Sequence, residues 1–176
     1  NGAIVRKNIF KNCFFQPASS DNGVSLGAAL LAESKFEERL NIKASKLESI
    51  YKGTFYSDTE IEKTLKKSKV NYIKSKNISK DAARSISKNK IIAWFQGRME
   101  VGARSLGARS ILANPINKDA RDQVNVNVKN REKWRPFCPS VLEEHFNKYF
   151  LEPKTICNKE YMIVAFEVHQ QVLNQI

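Results

Sequence analysis

Three glycines and three arginines fall within fourteen residues, Gly97-Arg98-Met99-Glu100-Val101-Gly102-Ala103-Arg104-Ser105-Leu106-Gly107-Ala108-Arg109-Ser110, directly behind the apolar run 91–95. No other feature restricts the fold as much. Ile91, Ile92, Ala93, Trp94 and Phe95 have the length and apolar character of a buried strand. Glycine at this density stops regular structure, because it weakens strands and helices alike and accepts positive φ. A strand that empties into such a loop can present backbone amides and arginine forks to an anion. A surface turn with unrelated arginines is the plainer alternative. Glu100, between Arg98 and Arg104, is expected to orient one of them as an ion pair.

The rest of the chain alternates strand-like and helix-like segments. Residues 8–16, rich in phenylalanine, read as a buried strand ended by Pro17. Ser19, Ser20 and Asp21 offer N-cap chemistry, with Asp21 as the cap of a helix over 24–39. Small residues follow it at Gly23, Gly27, Ala28 and Ala29. A lysine-rich connection sets a boundary near 40–55. Ser57 and Glu60 make a capping box that opens a basic helix ending at Lys67. Further expectations are a strand at 70–73, helices at 81–88, 119–129 and 141–150, and a strand at 161–168. The alternation implies an α/β (α+β) architecture.

A second basic cluster holds Lys129, Arg131, Lys133 and Arg135 beside Trp134 and Pro136-Phe137-Cys138-Pro139. Proline excludes an ordinary helix there. In an extended backbone alternate residues share a face, so these four cations are expected to line one side of a groove. A solvated basic face is the alternative.

Lysine and arginine number 30 against 18 acids, a formal charge of +12. That excess suits an anionic partner but does not choose among nucleic acid, a phosphorylated small molecule and an acidic surface. Cys13, Cys138 and Cys157 have no paired spacing, which favours a reducing cytoplasm over a disulfide framework. His145 and His169 are too far apart in sequence to suggest a ligand pair. No apolar run approaches the roughly 20 residues that a membrane span needs, so a soluble chain is expected. The sequence opens at Asn1-Gly2-Ala3-Ile4 without methionine and reads as a fragment.

Three segments together resemble the O-carbamoyltransferase family of nodulation and antibiotic biosynthesis. They are Gly97 to Pro115, then Val128-Lys129-Asn130-Arg131-Glu132-Lys133-Trp134-Arg135-Pro136-Phe137-Cys138-Pro139-Ser140, and Pro17 through Asp21-Asn22-Gly23 to Leu30. The resemblance implies the tail of an actin-like ATPase domain over 1–45, followed by an incomplete YrdC-like carbamoyltransferase C-terminal domain over 46–176. It implies that carbamoyl phosphate and ATP form carbamoyladenylate, whose carbamoyl group passes to a hydroxyl of a small-molecule or sugar acceptor. Arg104, Lys129 and Arg135 take the family's catalytic basic positions. Arg98, Arg109, Ser110, Arg131 and Gly23 fall at nucleotide and substrate positions. Asp21 takes that of a carboxylate ligand to a divalent metal, iron in the complete enzyme. The loop departs from the family at Ala103, Ser105 and Ala108, where proline, alanine and asparagine are usual, while every arginine is kept. The family's upstream histidine ligands and later Ser-Phe-Asn segment are absent, so this chain alone is not expected to run the complete reaction. A membrane or nucleic-acid partner is not expected, and an oligomer is allowed. Two other readings stay open: a threonylcarbamoyladenylate-synthase-like tRNA-modification factor, and a basic nucleic-acid-binding module.

Overall fold

The computed structural model describes residues 1–40 and 49–173. In chain order come helix α1 (Gly2–Arg6), strand β1 (Asn12–Cys13), and helices α2 (Asp21–Leu40), α3 (Asp58–Lys67) and α4 (Ile78–Ser87). Strands β2 (Ile92–Phe95) and β3 (Arg109–Leu112) follow, then helix α5 (Ala120–Gln123), which runs into a π turn over Val124–Val128. Helix α6 (Phe146–Tyr149) and strand β4 (Ile156–Cys157) come last. Helices mixed with small sheets agree with the expected α/β content. The boundary expected near 40–55 falls partly on 41–48, outside the described residues.

Two compact units are formed. The first takes Asn1–Phe55, Gln96–Ala108 and Pro153–Ala165; the second takes Tyr56–Phe95, Arg109–Glu152 and Phe166–Ile176. Val5, Ala18, Ile50 and Ala108 are buried in the first unit; Ala120, Val124 and Val172 are buried in the second.

Helix α3 shows how local chemistry sets an element. The Ser57 hydroxyl accepts the Glu60 N–H at 3.3 Å, and the Glu60 carboxylate accepts the Ser57 N–H at 2.8 Å, which closes the expected capping box. At its other end Lys69 adopts φ 54°. Its N–H reaches the Lys66 carbonyl and that of Val70 reaches Leu65, a Schellman closure. Helix α4 ends the same way with Asn89 at φ 58°, Asn89 N–H on Ile86 and Lys90 N–H on Ser85. The closure at Lys69 turns 70–73 out of any strand.

Hydrogen bonds from the Ser57 hydroxyl, and then from its backbone, hold the Glu60 carboxyl below the ordinary carboxylate range. A depressed folded-state pKa means that ionised Glu60 supports the helix above the ordinary value. The support is lost as pH falls through the depressed value. Amide protection across α3 is therefore expected to drop in acid, and Glu60→Gln to remove that dependence. Hydrogen exchange along a pH series checks it; an unchanged acid response in the variant would count against the capping box.

Strands β2 and β3 pair antiparallel, with Trp94 opposite Ser110 and Phe95 opposite Arg109. Strand β1 pairs parallel with β4, Cys13 opposite Cys157. Three expectations change. Of 8–16 only Asn12–Cys13 forms a strand, and with one short neighbour Phe10 and Phe14 stay exposed. The run 161–168 is not a strand: Met162 takes φ 54°, and only Val168 bridges, to Phe150. The helix expected over 141–150 is a short 3-10 turn followed by α6.

Candidate functional site

The arginine loop in the first unit is tied to residues 50–54. The Met99 N–H donates to the Thr54 carbonyl at 3.0 Å, the Gly53 N–H to the Met99 carbonyl at 2.8 Å, and the Val101 N–H to the Ile50 carbonyl at 2.9 Å. Arg98 is taken up by this support: a terminal guanidinium nitrogen donates to the Gly53 carbonyl at 3.0 Å, and the group lies 5.9 Å from the Phe55 ring centre. Glu100 is 4% exposed, and its Oε1 accepts the N–H groups of Leu106 and Ala108, each at 2.7 Å. Through these two amides the carboxylate holds the loop itself. Gly102 and Gly107, at φ 105° and 99°, bracket the turn. Arg104 lies between them, exposed.

Arg109 and Ser110 are on β3, facing Phe95 and Trp94 across the pair. Asp21 is the first residue of α2 rather than its cap, and it is exposed. Gly23 is explained by space: a Cβ there would lie 1.8 Å from the Ala18 carbonyl oxygen. Among the described residues no group of three or more His, Cys, Asp or Glu could hold a metal ion. Asp21 is a single carboxylate donor, and one carboxylate by itself does not make a metal site.

The second basic cluster belongs to the second unit and is organised by Asn125, fully buried in the π turn. Its Nδ2 donates to the carbonyls of Lys133 at 3.1 Å and Arg135 at 2.9 Å. Its Oδ1 accepts from Arg131 Nε at 2.7 Å, and its carbonyl accepts the Arg131 N–H at 2.9 Å. The Arg131 guanidinium also stacks 4.9 Å from the Phe137 ring centre. π turns interrupt helices at functional sites often. The helix expected over 119–129 becomes α5 and this turn, in which Val124 is buried and Val128 is 45% exposed.

The four cations do not line up along an extended face. Asn130 takes φ 45°, and the Arg135 N–H closes a turn on Glu132. Arg131 turns onto Asn125, Lys133 approaches Asp122 at 3.9 Å, and Arg135 Nε pairs with Glu132 at 2.9 Å. The Glu132 carboxyl is held below its usual range, first by its own backbone N–H and then by Arg135. Lys129, exposed, is left facing solvent at the end of the π turn. An open depression of about 440 Å³ lies here, lined by Val126, Asn130, Arg131 and Glu132. Asn125 escaped the sequence reading; its only signal was a polar residue among valines in Val124-Asn125-Val126.

Among the described residues no helix is long and apolar enough to cross a membrane. Residues 83–176 match the family model described as "Carbamoyltransferase C-terminus". The chain is 37% identical to nodulation protein NolNO of Sinorhizobium fredii over 171 residues, 96% of this chain and 25% of that protein. It is 36% identical to nodulation protein NolO of Bradyrhizobium diazoefficiens, over 87% of this chain and 28% of that one. It is 32% identical to the 3'-hydroxymethylcephem-O-carbamoyltransferase of Streptomyces clavuligerus, over 81% of this chain and 26% of that one. The chain thus spans 25–28% of the length of these three relatives.

Proposed function

The chain belongs to the carbamoyltransferase C-terminus family, and on that premise we propose that it is the anion-binding part of an O-carbamoyltransferase. Carbamoyl phosphate, water and ATP give carbamoyladenylate with release of phosphate and pyrophosphate, and the carbamoyl group then passes to a hydroxyl of a small-molecule or sugar acceptor as AMP leaves. On this reading residues 1–45 are the C-terminal edge of an actin-like ATPase domain, residues 46–176 are an incomplete YrdC-like domain, and the protein works in the cytoplasm. The observation that carries it is the pair of scaffolded basic loops. One presents Arg104 from a glycine turn held by Glu100; the other holds the Arg135 backbone on buried Asn125, with Lys129 exposed at the end of the π turn. Both substrates are dense in negative charge, and charge builds on phosphate oxygens as their bonds change. Fixed cations bind that charge without reorganising at the moment of reaction.

Calorimetric titration of this chain with carbamoyl phosphate and with ATP tests the proposal. Arg104→Ala and Lys129→Ala are each expected to weaken binding by about 1–3 kcal/mol, the usual scale for a charge-assisted hydrogen bond. Binding that neither substitution alters sinks the assignment. An RNA oligonucleotide bound with steep salt dependence, in a chain indifferent to both nucleotide and carbamoyl phosphate, would favour a nucleic-acid module instead.

A further inference from the structure

We propose that Glu100 is a positioning residue: its buried carboxylate fixes the turn between Gly102 and Ala108, and so the direction in which Arg104 leaves the backbone. This rests on the reading of Arg104 as an anion ligand. A carboxylate this deeply buried is kept only where hydrogen bonds satisfy it. The geometry supplies them. The residues on either side of Glu100 are bonded through their backbones to 50–54, so its side chain starts from a fixed point.

From there a single oxygen gathers the N–H groups of Leu106 and Ala108 at 2.7 Å each. The opposite face of the turn is held as well, because the Tyr51 hydroxyl donates to the Leu106 carbonyl at 2.7 Å. Leu106 is thereby tied through both its amide and its carbonyl. Arg104 lies two residues before it and two after Gly102, on a segment short enough that the tethers set its path. A misplacement of about 1 Å at such a ligand is enough to cost orders of magnitude in rate.

The test combines amide exchange with a double-substitution cycle. Glu100→Leu is expected to strip exchange protection from Leu106 and Ala108 and to raise the Kd for carbamoyl phosphate about tenfold. In an Arg104→Ala background the same change should add little, because both act through one side chain. Glu100→Gln, whose Oε1 accepts the same two N–H groups, should restore most of the protection and affinity. If Glu100→Leu does not fold, Glu100→Asp serves, because the shorter side chain keeps the charge but not the reach. Retained protection in the leucine or aspartate variant overturns the proposal, and so do fully additive losses in the cycle. If the unaltered chain binds no carbamoyl phosphate, the reading of Arg104 falls and the exchange arm alone decides: lost protection upholds the tether, retained protection overturns it.

Discussion

Replacing Asn125 by leucine is expected to lower the local opening free energy of the 124–135 segment by about 3 kcal/mol, as two carbonyls and an arginine N–H lose a buried partner. The side chain fits almost isosterically, so the loss reports hydrogen bonding rather than volume. Asn125 serves Lys133, Arg135 and Arg131 at once from a site with no solvent access. Amide exchange at Arg131, whose N–H rests on the Asn125 carbonyl, should then accelerate roughly hundredfold. Asn125→Asp separates the contributions. It keeps the acceptor for Arg131 but turns an oxygen toward two carbonyl oxygens, so this variant should hold better in acid, where the carboxyl can donate, than at neutral pH. Exchange that is unchanged in the leucine variant would mean that the basic segment is held by something else.

Among the glycines, Gly23→Ala should be the most crowded by an added methyl, destabilising by about 3 kcal/mol or more through overpacking. The new Cβ would meet the Ala18 carbonyl oxygen at 1.8 Å and its carbon at 2.9 Å. Both are backbone atoms that no rotamer change can move aside. The Gly23 N–H also donates to the Ser20 carbonyl at 2.8 Å, so the start of α2 and the Pro17–Ser20 turn must separate together. Gly27→Ala is the control on the same helix: nothing lies within 4 Å of its Cβ position, and helix propensity alone favours alanine by about 0.5–1 kcal/mol. The two variants should therefore shift thermal unfolding in opposite directions. Equal shifts would refute the close approach at Ala18.

What could be read from the residues was what depends on neighbours in sequence. The Ser57–Glu60 box and the helix it opens, Asp58–Lys67, were legible because cap and helix lie within one turn. So was Ile92–Phe95, an apolar run with a hard stop. The family was legible too, since the loop at 97–115 and the turn at 128–140 both fall inside the matched 83–176. The strands expected at 70–73 and 161–168 were not found, because a strand exists only where a partner lies alongside, and periodicity does not say where that is. Left-handed Lys69 and Met162, neither a glycine, closed those runs instead. The groove expected from Lys129 to Arg135 assumed an extended backbone, and left-handed Asn130 with the turn at Glu132 removed that assumption. Glu100 was noticed for its charge, whereas two of its contacts are to amides six and eight residues away, which spacing alone does not show.

The first unit is built from three stretches of chain, and that has a consequence for the order of events during synthesis. Its β1 segment is bonded to residues far downstream: the Phe15 N–H donates to the Asn158 side chain across 143 positions. At translation speeds of about 5–20 residues per second, the early partner waits on the order of 7–30 s before the later one is made. Phe10 and Phe14 meanwhile stand uncovered on either side of the nascent β1, and even in the finished fold they remain 57% and 71% exposed. The second unit begins at Tyr56 with helices that close locally and need no such delay. Newly made protein should therefore acquire protease resistance in α3 and α4 before it does in the segment around β1, and chaperone dependence should concentrate around β1.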